Sequence, residues 1–125
     1  MNLDNIQLKG ILEVDDKPVK VYDYKGTIND RRKSNLKTFM SFVDVKNRIL
    51  VLFPEFYDLT SNSKEAILYH EIAHLKGILD EAEADKYSIR HVSLHYFKKC
   101  IKECEIIHKR INPQYVEREE RLQFM

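Results

Sequence analysis

The sequence predicts an α+β domain, a small and mostly antiparallel sheet packed on two or three helices. Three observations carry this expectation. Up to Pro54, runs rich in β-branched and aromatic residues alternate with polar turns. Beyond it, apolar positions recur at helical spacing, with cap and stop signals at the segment ends. Three glycines and three prolines in 125 residues make each break informative.

The elements follow in order. Residues 6–14 and 18–24 read as two strands around a turn at Asp15-Asp16-Lys17. Residues 29–37 are polar and read as a loop. Thr38–Val45 and Arg48–Phe53 read as a second hairpin turning at Lys46-Asn47, ended by Pro54. Asn62 followed by Glu65 is a capping-box pattern, predicting a helix from near Ser63 to Lys76. Gly77 is its left-handed stop. A single long helix is predicted from Glu81 to Ile111. Its apolar stripe is Ile89, Val92, Tyr96, Cys100, Cys104, Ile107 and Ile111, and Pro113 blocks its continuation. Gln114–Gln123 is charged and reads as a short helix or a tail.

A chain of 125 residues fits one domain, 1–125. The hydrophobic share of 43% and charged share of 33% are ordinary for a globular protein. A net charge of +1 gives no basis for a nucleic-acid partner. No apolar run approaches the roughly 20 residues that span a membrane. Residues 1–10 mix polar and charged side chains with apolar ones, unlike a signal peptide. Together with only two cysteines, this predicts a cytoplasmic setting.

The chemistry concentrates at His70-Glu71-Ile72-Ala73-His74, a match to HExxH. Residues i and i+4 of a helix share a face, so two imidazoles so placed can bind one Zn²⁺. Glu71 sits beside the first of them and can take a proton from water whose pKa the zinc lowers. A catalytic zinc usually has three protein ligands, and three acids follow: Asp80, Glu81 and Glu83. Asp80 and Glu83 fit a capping box at the start of the next helix. Glu83 lies about 200° round that helix from Glu81. Glu81 and Asp85 share a face, so Glu81 can bind zinc while Asp85 accepts an N–H from a ligand histidine. Ala82 and Ala84 are small enough for the two helices to approach.

HEIAH followed by Glu81-x-x-Ala84-Asp85 resembles the gluzincin metallopeptidases, whose second helix supplies a glutamate ligand. Asn47-Arg48-Ile49-Leu50-Val51, just before the motif helix, is similar to the ImmA/IrrE-like and minigluzincin branches. The likeness spans residues 44–88. It implies a zincin-like fold, with zinc between the motif helix and the glutamate helix. It implies His70, His74 and Glu81 as ligands, Glu71 as base and Asp85 in support. It further implies a peptidase acting on a peptide or protein substrate, such as a regulatory protein cut at a limited site. Six residues separate His74 from Glu81, fewer than in many gluzincins. The stretch also fits the metzincin-like HExxHxxGxxD, with Asp80 as ligand, although no methionine lies between Met40 and Met125 to form a Met-turn. From another class, a non-catalytic regulatory or partner-binding protein could use zinc as a structural staple. The intact Glu71 favours the enzyme, because a structural site needs no base.

Other residues carry weaker signals. Cys100, Cys104 and His108 form a ladder of metal-ligating types, but both cysteines fall on the apolar stripe and read as core. His91 and His95 would lie roughly 15 and 21 Å along an unbroken helix from Glu81, and read as surface. Tyr57 and Tyr115 are candidates to stabilise an oxyanion. Tyr22, Tyr24, Phe39, Phe42, Phe53, Phe56 and Tyr57 read first as core and sheet residues, and a few of them as walls of a substrate groove.

Overall fold

The computed structural model describes residues 5–33 and 40–117. Strand β1 (Ile6–Val14) pairs antiparallel with β2 (Lys17–Tyr24). Asp15 and Asp16 form the two-residue turn, with φ of 54° and 61°. Two left-handed residues make a type I′ turn, whose twist suits a tight hairpin. Lys17 therefore belongs to the strand and not to the turn.

The polar stretch expected as loop begins with helix α1 (Ile28–Lys33). The signal was a short capping box. The Asp30 carboxylate accepts from the Thr27 backbone N–H at 2.7 Å, and Thr27 Oγ1 accepts from the Asp30 N–H at 3.1 Å. Residues 34–37 of that expected loop, and Thr38 and Phe39 of the next expected strand, lie outside the described residues.

Strands β3 (Ser41–Asp44) and β4 (Ile49–Leu52) form the second hairpin. The Asp44 side chain accepts from the Asn47 backbone N–H and side-chain amide, and shapes the turn. The strand order is β1-β2-β4-β3, and β2 pairs with β4 in parallel. The sheet is therefore mixed, a correction to the mostly antiparallel expectation. A hairpin forces its own two strands antiparallel, but the pairing of two hairpins depends on the path of the connection between them.

Alternation along β4 divides the sheet faces. Leu50 and Leu52 face the helices and join Val14, Val19, Met40, Ile67, Leu75, Cys104 and Ile107 in the main core. Val51 and Phe53 face the other way and cluster with Tyr24. On that side a buried Arg31–Glu55 ion pair lies with the Arg31 guanidinium 4.9 Å from the centre of the Phe53 ring.

After a 3-10 turn at Pro54–Asp58, helix α2 runs Ser61–Leu75. Its N-cap is Thr60 and not Asn62, and no local side chain caps it. Glu103 does so from a distant helix. It accepts from the Thr60 backbone N–H at 2.9 Å, the Thr60 hydroxyl at 2.9 Å and the Ser63 hydroxyl. A carboxylate at a helix N-terminus also meets the positive end of the helix dipole. Burial pushes the Glu103 carboxyl up, but the Ser63 and Thr60 hydrogen bonds outweigh it and hold the group below its usual range. A lowered folded-state pKa contributes stability above the unfolded value and loses it as pH falls through the folded one. Glu103→Gln is thus expected to melt lower than wild type at neutral pH. The gap should narrow as the pH falls below the ordinary glutamate value of about 4.3 and close only below the lowered folded-state one. Thermal melts of both proteins across that range check this, and a gap that does not change with pH would remove Glu103 from the account.

The far end of α2 closes as expected. Gly77 has φ of 99°, its N–H donates to His74 O, and the Ile78 N–H donates to Ala73 O. These two bonds make a Schellman turn. Arg48 fastens this end to the sheet. Its guanidinium donates to Val14 O at 2.7 Å, Pro18 O at 3.3 Å and Leu75 O at 3.4 Å.

The predicted single long helix is two helices, α3 (Glu81–Val92) and α4 (Leu94–Ile111). Ser93 breaks it with φ of 86° and caps α4 by accepting from the Tyr96 N–H at 3.4 Å. The break rotates the stripe: α4 buries Phe97, Cys100, Ile101, Cys104 and Ile107, while Tyr96 is exposed. Of the expected Gln114–Gln123 segment, residues 114–117 are not helical and the rest lie outside the described residues. No helix among the described residues is long and apolar enough to cross a membrane.

Candidate metal centre

Helix α2 carries His70, Glu71 and His74 on its inner side, where all three are buried. The i, i+4 spacing sets the two imidazoles edge to face, ring centres 4.7 Å apart. Their Nε2 atoms lie 3.1 Å from each other. Each Nδ1 is already engaged. His74 Nδ1 is 2.7 Å from Ile78 O, and His70 Nδ1 is 2.7 Å from Asp85 Oδ1. A carbonyl oxygen only accepts, so His74 Nδ1 carries the hydrogen. The same holds for His70 against the Asp85 carboxylate, which is 1% exposed. Two turns of chain make these contacts. Gly77 swings Ile78 O back over His74, and α3 brings Asp85 against His70.

Glu81 completes the arrangement from the first residue of α3. Its Oε1 is 2.9 Å from His74 Nε2 and its Oε2 is 3.2 Å from His70 Nε2. With both imidazoles neutral and donating from Nδ1, two lone pairs and two carboxylate oxygens point at one place. A proton on His74 Nε2 relieves one of these contacts, and a dication relieves them all. The Glu81 hydrogen bond raises the His74 pKa against the opposing effect of burial, with Ile78 O adding to the rise. Two imidazoles and a carboxylate are the donor types zinc takes, so the residues present fit that ion.

Among the described residues, one group of three potential ligands stands together, His70, Glu71 and His74, with ligating atoms within 4.8 Å of one another. The individual distances place Glu81 closer than Glu71. Glu71 Oε1 is 3.8 Å from His70 Nε2, beyond either Glu81 oxygen. The other Glu71 oxygen accepts from the Ser41 hydroxyl at 3.2 Å. Burial pushes the Glu71 carboxyl up, while the two imidazoles and Ser41 pull it down by less.

Of the two acids expected to form a capping box, one takes that role. Asp80 caps α3, accepting from the Glu83 N–H at 3.0 Å. The return half of the box is not made, since the Glu83 carboxylate pairs with Lys86 at 3.1 Å. Ala84 is fully buried, and beside it the Ser88 hydroxyl donates to Ala66 O at 2.7 Å, locking α3 to α2. Sequence reasoning missed Ser41, Ser88 and the Ile78 carbonyl. Ser41 and Ser88 act through contacts 30 and 22 residues apart that no local pattern encodes, while the Ile78 carbonyl follows from the turn at Gly77.

The other candidates lie elsewhere in the fold. The Tyr57 hydroxyl donates to Asp23 and accepts from Lys9. The Tyr115 hydroxyl donates to Glu117, and its ring lies 4.4 Å from the His108 ring. His91 and His95 are exposed, with His91 stacked on Tyr69. Cys100 and Cys104 are buried free thiols with sulfurs 3.9 Å apart, and Cys100 Sγ donates to Ser63 O. Both are therefore expected to label slowly with a thiol reagent in the native state and quickly on unfolding. Fast native labelling, or labelling that a chelator accelerates, would contradict their place in the core. No family model, curated protein or solved structure matches the chain.

Proposed function

We propose that this chain is a zinc-dependent metallopeptidase. One observation supports the reading most: the two Nε2 atoms, 3.1 Å apart, and both Glu81 oxygens, 2.9 and 3.2 Å from them, converge on one place, with each Nδ1 turned to Ile78 O or Asp85. Zinc bound there would supply Lewis-acid polarisation of a carbonyl and a lowered pKa for water. His70, His74 and Glu81 would hold it, and Asp85 would keep His70 in the tautomer that ligates. Glu71 is the base. Its buried carboxyl, raised above the usual range, can take a proton from water and later give it to a leaving amine. The Glu81 side chain is 45% exposed, so the site opens to solvent on that side.

Among the described residues, strand β3 lies at the edge of the sheet, and its Ser41 reaches Glu71 on α2. An extended peptide could add to this edge by backbone pairing, which makes a peptide or protein the fitting substrate. A structural zinc staple draws support from one feature, the presence of Glu71 within ligand range. Purified without added metal, the protein is expected to carry one zinc per chain and to cleave members of a mixed peptide library. Elemental analysis and mass spectrometry of the digest check both. Protein that is metal-free and fails to take up Zn²⁺ would end this reading. One zinc with no cleavage would leave the staple.

A further inference from the structure

We propose that Ser41 is a positioning residue that keeps Glu71 available as a base and off the metal. The inference rests on the metallopeptidase reading. Ser41 opens β3, and its hydroxyl donates to Glu71 Oε2 at 3.2 Å. An ionised carboxylate can only accept, so the direction of this bond is set. The opposite oxygen, Oε1, turns toward the imidazoles and stands 3.8 Å from His70 Nε2. One oxygen is thus tied back to the sheet while the other faces the site.

The tie matters because of how close Glu71 is. Its ligating oxygen and the two imidazole nitrogens lie within 4.8 Å of one another. A modest rotation about its own side-chain bonds would bring the carboxylate into a metal's ligand shell beside Glu81. A carboxylate bound to a dication has lost the basicity that the reaction needs. The separation of roles between Glu81 as ligand and Glu71 as base therefore depends on a contact made from outside α2. Ser41 comes from a strand thirty positions earlier in the chain.

The test uses the full chain loaded with Co²⁺, whose visible absorption responds to the number and type of its ligands. Ser41→Ala is expected to change the visible bands and to lower kcat on a cleaved library peptide by about tenfold or more. KM and the melting temperature should stay near wild type. Ser41→Thr, which keeps the hydroxyl, should restore both spectrum and kcat. Ser41→Cys, similar in size but a weak donor, repeats the comparison where alanine lowers stability. A Ser41→Ala protein with wild-type spectrum and kcat overturns the proposal. So does a Ser41→Thr protein that behaves like Ser41→Ala. A changed spectrum in Ser41→Ala, beside a wild type that cleaves no peptide, supports the hold on Glu71 and retires the peptidase reading. A chain that takes up no Co²⁺ overturns both.

Discussion

Glu81→Ala is expected to weaken zinc binding more than any other substitution of an acid between Asp80 and Asp85. Glu81 is the acid whose two oxygens reach both imidazoles, at 2.9 and 3.2 Å. Asp85→Ala removes the acceptor that orients His70 and should lower affinity by about 10–100-fold. Loss of Glu81 should exceed that. Asp80→Ala removes the cap of α3 and should cost about 0.5–2 kcal/mol of stability with affinity largely kept. Glu83→Ala loses only an exposed pair with Lys86 and should change little. Titration of each variant against a competing chelator ranks them. If Asp80→Ala releases the metal and Glu81→Ala keeps it, the metzincin-like alternative holds. Acid should act in the same direction as Glu81→Ala. Metal binding needs both imidazoles deprotonated, and His74 holds its proton to higher pH than an ordinary histidine. Zinc affinity should therefore fall as the pH is lowered.

Glu71→Gln is expected to retain the zinc and lose about 10²–10⁴-fold in kcat on any peptide the wild type cleaves. The amide matches the carboxylate in shape and can still meet Ser41. It cannot accept a proton from water. Relief of a buried carboxylate should also leave stability equal or higher, since burial is the largest influence on this group. Steady-state kinetics on a library peptide, paired with zinc analysis of the same sample, reads both effects together. Cleavage at the wild-type rate would show that the base lies elsewhere. Loss of zinc in this variant would show that Glu71 is a ligand.

Local rules made much of the chain legible. The alternating runs of β1 and β2 and the left-handed stop at Gly77 were readable because each depends on neighbours in sequence. The spacing of His70 and His74 belongs to the same class, since one turn of helix fixes their shared face. The cap at Asp80 and the common face of Glu81 and Asp85 were likewise within reach of helix geometry. Where local rules failed, two of them usually competed. Asn62 and Glu65 offered a capping box, but Glu103 satisfies the start of α2 two residues earlier, at Thr60. Thr27 and Asp30 also offered one, and the surrounding polarity concealed it.

By itself, the sequence determined the chemistry present: two imidazoles on one helical face, a carboxylate between them, and acids at the start of the following helix. Only the tertiary structure decided which acid turns toward the imidazoles, that His70 is the histidine Asp85 holds, and where Glu71 points. It also decided the break at Ser93, which carries no glycine or proline to announce it. Ser93 accepts a left-handed φ because the break lets Phe97, Cys100 and Cys104 reach the core while Glu103 reaches Thr60. The parallel join of β2 to β4 was decided in the same way. The physical reason is common to all of these. Hydrogen bonds and burial between residues far apart in sequence outweigh local preferences worth a few tenths to one kcal/mol per residue, and they exist only once the chain has folded.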